Sequence, residues 1–331
     1  MSEQQKRVLV TGANGFIGSH LAEALLDSGY TVRCMVRRSS DLTAISDLPV
    51  EWAYADMRDG DALRETCSEV DAVCHSAALT RALDEETFFR VNAEATKALA
   101  RACVEANDGL ARFLYVSSQA AAGPAKSGDE PLAESRPAQP VTWYGKSKLA
   151  AEHALQNMDS ELPLTIVRPS AVFGPRERDF FAYFQLVQRG ISLQLGRNER
   201  QLSLIYVRDL INLILLALES QDAVGQTYFG CGYPSSYAGL SKAIAEAMAK
   251  KPLTVTVPQF VLTPLALWSR VQGKLTGKPA LINDQRIIDM KQPFWLCSSA
   301  KARQELGFVP QQSLQAAVEE TAVWYRKNGW L

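Results

Sequence analysis

The chain has 331 residues, 47% of them hydrophobic and 21% charged, and its 36 acidic and 35 basic side chains leave a formal net charge of −1. That composition supports a large core in one big domain or two joined lobes. It supplies no basic field for collecting polyphosphates, which excludes a general nucleic-acid binder, so any anion site has to be local.

In chain order, the first 170 residues or so alternate short β-branched runs with longer helical patterns, the signature of parallel βαβ units. Candidate strands are Arg7 to Val10, Thr31 to Val36, Glu51 to Tyr54, Ala72 to His75, Arg112 to Val116 and Leu164 to Val167. Ile17, Leu21, Ala24 and Leu25 fall at helical spacing between the first two strands, and Gly29 supplies the stop. From about Phe173 the pattern is broken by Pro175, Gly190, Gly196, Gly225, Gly230, Gly232 and Pro234, which predicts a smaller lobe covering a substrate. Ser203 to Val207 and Thr227 to Phe229 read as strands flanking the apolar helix Leu210 to Leu218, so 203–230 is expected to return to the sheet. A final amphipathic helix places Leu314, Ala317, Val318, Thr321, Trp324 and Tyr325 on one face. The expected fold is α/β: a Rossmann-type doubly wound parallel sheet from 1–172 with 203–230, and a smaller C-terminal lobe from 173–202 and 231–331.

Cys34, Cys67, Cys74, Cys103, Cys231 and Cys297 form no CxxC pair, and no basic-then-apolar leader precedes the first strand. Free buried thiols in a cytoplasmic protein are therefore expected. The apolar run Phe260 to Trp268 contains Pro264 and is much shorter than the roughly 20 residues of a membrane span, so no transmembrane helix is expected.

Thr11-Gly12-Ala13-Asn14-Gly15-Phe16-Ile17-Gly18 follows a strand and opens a helix, the context that makes a glycine pattern a dinucleotide site. Gly12 permits the tight turn, Gly15 lets the backbone approach a pyrophosphate, and Gly18 lets helix and sheet lie close. The helix N-terminus then offers unpaired N–H groups to the phosphates. An NAD site usually holds the ribose diol with a carboxylate about 20 residues on, whereas this chain has Arg37, Arg38, Ser39 and Ser40. A guanidinium there suits a 2′-phosphate, which favours NADP(H) and leaves NAD open. Asp56 and Met57, after the third strand, are candidates for the adenine, and Ala77 and Ala78, after the fourth, for close passage of the ribose. His75 reads as structural, since no second ligand cluster suggests a metal.

Tyr144 and Lys148 are spaced i and i+4 on a helix, one turn apart on one face. A phenol is a poor base at neutral pH, and a neighbouring ammonium is expected to bring it toward the working range. Ser117 and Ser118 end the preceding strand at the carboxyl edge of the sheet, where ligands bind, and Ser118 could hold a substrate oxygen.

Together these residues resemble the extended short-chain dehydrogenases, the NAD-dependent epimerase/dehydratase family, over nearly the whole chain. The resemblance rests on the TGANGFIG loop, Asp56, Ala77 and Ala78, Asn92, Ser117 and Ser118, Tyr144 with Lys148, the segment Arg168 to Pro175, and Tyr206-Val207-Arg208-Asp209. It implies a catalytic triad of Ser118, Tyr144 and Lys148, with the tyrosine exchanging a proton with the substrate oxygen and the lysine also binding the nicotinamide ribose. It also implies that Pro169 and Ser170 lie beside the nicotinamide, and that the protein is a homodimer through the helices holding Asn92 to Asn107 and Tyr144 to Met158. Gln119-Ala120 replaces the acidic pair of the dehydratases, and Ala121-Ala122-Gly123 looks more like the dihydroflavonol-reductase-like and 3β-hydroxysteroid-dehydrogenase-like branches. Arg208 stands where the family has an acid, which leaves the role of that position open.

The expected reaction is hydroxyl/carbonyl redox on a small, apolar organic substrate. Sugar-nucleotide epimerisation with tightly held NAD is the enzymatic alternative. A cofactor-binding sensor without chemistry is disfavoured by the intact triad. Pro258 to Gly273 could line an apolar pocket, touch a membrane surface or pack as an ordinary helix.

Overall fold

The structure is a computed structural model that describes residues 5–158, 161–196, 200–258, 264, 276 and 283–331. The segment Pro258 to Gly273 singled out in the sequence lies almost wholly outside the described residues.

The first half runs β1 (Arg7–Thr11), α1 (Phe16–Asp27), β2 (Thr31–Val36), β3 (Glu51–Tyr54), α2 (Gly60–Cys67), β4 (Ala72–His75), α3 (Glu85–Phe89), a π turn (Arg90–Glu94), α4 (Ala95–Ala106), β5 (Arg112–Val116), α5 (Gln119–Ala122) and α6 (Trp143–Gln156). The second half runs β6 (Leu164–Pro169), β7 (Ala171–Phe173), α7 (Phe181–Gln188), β8 (Ile191–Leu195), β9 (Gln201–Tyr206), α8 (Val207–Glu219), β10 (Thr227–Gly230), β11 (Tyr233–Ser236), α9 (Tyr237–Ala247), β12 (Leu253–Val257), α10 (Asp284–Lys291), β13 (Phe294–Trp295), α11 (Ala300–Leu306) and α12 (Leu314–Lys327).

Seven parallel strands form the main sheet in the order β10-β6-β5-β4-β1-β2-β3. All six strands expected in the first 170 or so residues are present. Alternation along each strand feeds two cores: Val8, Val10, Leu114 and Val116 join the layer of α1 and α8, while Leu9, Phe113 and Tyr115 face α2, α4 and α6. Side chains such as Leu25, Leu99 and Leu155 are fully buried, each worth about 1.5–3 kcal/mol. Gly29 ends α1 with φ +85°, as a left-handed stop requires.

The returning segment divides differently from expectation. Thr227–Gly230 joins the edge of the main sheet beside β6, and α8 packs back toward α1, but Gln201–Tyr206 pairs with β7, β11 and β13 in a second, four-stranded sheet. The backbone of β9 is taken up on both sides by these short strands, and the chain turns at Tyr206 straight into α8. Among the described residues no helix is long and apolar enough to cross a membrane. The six cysteines are buried and free.

Between β1 and β4 the strand order reverses. A crevice opens there at the carboxyl ends of the strands, the usual place for a ligand in a doubly wound sheet.

Candidate active site

The loop from β1 into α1 is shaped by its glycines. Gly12 has φ +68°, and a Cβ on it would lie 2.7 Å from the backbone of Ala77. A Cβ on Gly18 would lie 2.1 Å from the Gly12 carbonyl oxygen, so the first turn of α1 can sit on the loop only with hydrogen there. The N-cap of α1 is Gly15, and no side chain caps it, whereas Asp59, Asp84 and Thr142 cap α2, α3 and α6. The uncapped start of α1 lines a groove of about 1090 Å³ whose wall also includes Tyr144 and Lys148. A cradle closed to any Cβ and an uncapped helix start fit a dinucleotide pyrophosphate.

Gly12, Asn14, Gly15, Phe16, Ile17, Gly18, Ala78, Ser117, Tyr144 and Lys148 line this groove. Thr11 and Ala77 support it from behind, Thr11 through a 2.6 Å bond to His75 Nδ1. His75 is fixed on its other side by Thr96 (2.7 Å), and burial lowers it to about 3, so it is a neutral structural group. Arg37 is exposed at the end of β2, and its N–H donates to Ser40 Oγ. Neighbouring Arg38 lies 5.2 Å over the Tyr54 ring. Both Asp56 oxygens accept from Arg58 at 2.8 Å, which holds that carboxylate well below its usual range; neither Asp56 nor Met57 lines the groove.

A second cavity, about 290 Å³, opens beside the groove and carries Pro169 and Ser170 in its wall together with Ser118. Tyr144 lines both spaces. Local packing explains its place. Thr142 caps α6 by accepting from Gly145 N (3.1 Å), and Gly145 lies against α5, where a Cβ would come within 2.3 Å of the Ala120 carbonyl. Ser118 caps α5 by accepting from Ala120 N (3.1 Å), so the two helix starts bring its hydroxyl within bonding reach of the Tyr144 phenol.

The electrostatics correct one expectation. Burial pushes Tyr144 up to about 12, only partly offset by Ser118, and pushes Lys148 down to about 7, opposed by Glu152. Lys148 is not among the groups that move the phenol here: burial sets the direction, the Asp289 carboxylate adds to it, and only Ser118 opposes it. Lys148 Nζ donates to the Val116 carbonyl (2.7 Å) and sits 4.3 Å from the Tyr115 ring centroid.

The sequence reading missed what lies beneath and opposite. Glu152, one turn after Lys148 and fully buried, is held by Arg168 (2.5 and 3.0 Å) and by the Ser117 hydroxyl. Its i+4 spacing from Lys148 was the one available clue. Asn92 Nδ2 donates to Ser147 Oγ (3.0 Å) and to the Leu79 carbonyl (2.9 Å), tying the loop after β4 to the catalytic helix. Arg81 and Asp179 form an ion pair at the junction of groove and cavity, joined by Glu177, which burial raises to about 7. Arg208, whose role the sequence left open, pairs with Glu320 (2.6 Å), while adjacent Asp209 accepts from Gln311 N and the Tyr233 hydroxyl, each at 2.8 Å. That corner is structural.

The family model described as "NAD dependent epimerase/dehydratase family" matches residues 8–229. A ceramide reductase of Caulobacter vibrioides is 30% identical, covering 98% of this chain and 96% of that protein. A 3β-hydroxysteroid dehydrogenase/Δ5→4-isomerase of Mycobacterium tuberculosis is 29% identical over 96% of this chain and 90% of its own. The crystal structure of gox2253 superposes with TM-score 0.82 at 30% identity, covering 98% of this chain and 99% of that one. A seven-stranded doubly wound sheet, a glycine cradle at its switch point and a tyrosine-lysine helix beside it thus coincide with a match over most of the chain, which belongs to the NAD-dependent epimerase/dehydratase family, the extended short-chain dehydrogenases, and is an NAD(P)-dependent oxidoreductase.

Proposed function

We propose that the protein interconverts a carbonyl and a hydroxyl on a small, apolar-bodied organic molecule, with NADP(H) as the preferred cofactor. The observation that carries this reading is the position of Tyr144, whose phenol lies where the dinucleotide groove meets the second cavity. The cofactor, when bound, supplies or accepts the hydride. Ser118 holds the substrate oxygen, and Tyr144, protonated at neutral pH, delivers the proton to it. Lys148 anchors the ribose end of the groove, and Gly12, Gly15 and the first turn of α1 receive the pyrophosphate. Thr11, Ala77, Ala78 and Ser117 shape the groove, Pro169 and Ser170 are assigned to the nicotinamide, and Asp56 and Met57, which do not line the groove, are assigned to the adenine beyond it. Two relatives bear the names of enzymes of ceramide and of 3β-hydroxysteroid, both apolar-bodied molecules, which supports the substrate class.

Arg37 supports the cofactor preference: it is exposed at the end of β2 and has no ion-pair partner among the described residues. Arg37→Glu should raise the Kd for NADPH by at least about tenfold while changing that for NADH little. Equal effects on both cofactors would refute the preference. The reaction class is tested by following nicotinamide absorbance with ketones, sterols, aldehydes and nucleotide sugars. The family's own description keeps epimerisation as a second reading. It would show as sugar interconversion with no net absorbance change and a cofactor that survives purification. We also read the chain as a cytoplasmic homodimer through α4 and α6, with units 1–172 plus 203–230 and 173–202 plus 231–331; sedimentation checks the first and limited proteolysis the second.

A further inference from the structure

Four of the six cysteines are sealed. Cys34, Cys67, Cys74 and Cys103 are 0% exposed, and burial pushes Cys34 and Cys74 up to about 12. Cys67 and Cys103 lie 3.2 Å apart, sulfur to sulfur, yet solvent does not reach them. Cys231 and Cys297 differ. They are 8% and 5% exposed, and both stand in the wall of a third cavity, about 510 Å³, whose lining includes none of Ser118, Tyr144 and Lys148.

Tertiary structure brings the two together. Cys231 connects β10 to β11, Cys297 directly follows β13, and β11 and β13 flank β9 on its two sides. Ser203 of β9 grips Cys297 twice, accepting from its N–H (3.1 Å) and donating to its carbonyl (3.3 Å). Cys231 Sγ lies against the same residue, donating to the Cys297 carbonyl at 3.1 Å, while the Ser299 hydroxyl donates to the Cys231 carbonyl (2.9 Å). The surroundings treat the two sulfurs differently. The Cys297 thiol, against burial and with help from Ser299 and Arg303, holds Cys231 below the ordinary thiol range. Burial holds Cys297 well above that range. A thiolate-prone sulfur that opens on a cavity, next to a protonated thiol, has the arrangement of an attacking and a resolving cysteine.

We propose that Cys231 and Cys297 are a peroxide-oxidisable pair, in which Cys231 attacks, Cys297 resolves, and the resulting disulfide ties the β10–β11 connection to the end of β13. The Cys231 thiolate attacks one oxygen of hydrogen peroxide, the O–O bond breaks, and the departing hydroxide takes a proton and leaves as water. Cys231 is then a sulfenic acid. The Cys297 sulfur attacks Cys231 Sγ, the S–O bond breaks, and the Cys297 proton leaves with that hydroxyl as a second water. Two thiols have lost two electrons to one peroxide. This modification site is independent of the substrate and of the redox reaction assigned to Tyr144.

The test treats the full-length protein with hydrogen peroxide at neutral pH, beside glutathione as a free-thiol reference. Remaining thiols are counted with a chromogenic disulfide, and linkage is read by peptide mass spectrometry without reduction. The wild type should lose two of its six thiols, yield a Cys231–Cys297 linked peptide, and regain both thiols with dithiothreitol. Cys297→Ser has no resolving sulfur and should give a dimedone adduct on Cys231. Cys231→Ser should slow oxidation of Cys297 by at least about tenfold. Unchanged melting temperature and NADPH affinity show that each variant is folded, and the wild-type linkage needs neither. Linkage of Cys67 to Cys103 in preference would mean that proximity rather than access selects the pair. That result, cross-links chiefly between chains, glutathione consumed with no loss of protein thiols, or undiminished oxidation of Cys297 in Cys231→Ser overturns the assignment.

Discussion

Tyr144→Phe isolates the proton from everything else the side chain does. The ring keeps its place near Phe88, 6.3 Å between centroids, and only the hydroxyl beside Ser118 is lost. A phenol held at about 12 is ionised in about one molecule in 10⁵ at pH 7, so the free protein presents an acid ready to protonate a carbonyl. Removing a positioned general acid costs about 10²- to 10⁴-fold in kcat. Single-turnover kinetics with the best substrate, together with NADPH binding by fluorescence, separate the two effects. We expect a kcat loss in that range and a Kd within about threefold of the wild type. The direction of reaction adds a second reading of the same group. Reduction uses the protonated phenol and should show no loss from Tyr144 below about pH 10. Oxidation needs the phenolate and should accelerate with pH over the same range. A Tyr144→Phe enzyme that keeps more than about a tenth of wild-type kcat, or that loses activity only through weaker cofactor binding, would refute the assignment.

Three further outcomes follow from the same geometry. Lys148 is an ammonium whose folded-state pKa, about 7, lies below its ordinary 10.5, so charging it opposes folding. The unfolded chain binds the extra proton between those values, and wild-type stability should therefore fall, relative to Lys148→Met, as pH drops from 10 toward 7, then run parallel below. The ceiling is about 5 kcal/mol, offset by about 1–3 kcal/mol for the orphaned Val116 carbonyl; urea titrations across that pH window measure it. Gly18→Ala puts a methyl 2.1 Å from the Gly12 carbonyl and should cost about 1–3 kcal/mol of stability while weakening both NADPH and NADH binding; unaltered cofactor affinity would show that the cradle has slack. Glu152→Gln removes the charge that Arg168 holds in the interior and should destabilise by about 3 kcal/mol, with most of the loss recovered when Arg168→Met is added. No recovery in the double variant would mean that packing, not the unpaired guanidinium, sets the cost.

Much of this protein is legible residue by residue because the causes are local. The short run Arg112 to Val116, buried along its whole length, and the helical spacing from Ile17 to Leu25 appear as the expected strand and helix, since an apolar run or an apolar face has to be covered. The glycine loop is equally readable, because Gly12 needs its positive φ and Gly18 its missing Cβ whatever surrounds them. The i, i+4 spacing of Tyr144 and Lys148 needed nothing beyond a helix.

What folding alone decided depends on long-range proximity and on water. Arg81 and Asp179 are 98 residues apart, and Gln285 reaches Trp143 across 142, so no window of sequence could pair them. Strand Gln201–Tyr206 has the right pattern for the main sheet, yet its hydrogen bonds go to short strands whose arrival the pattern cannot announce. The protonation states were likewise out of reach: spacing suggested a lysine acidifying a tyrosine, but burial moves both groups the other way, and burial is a property of the assembled molecule.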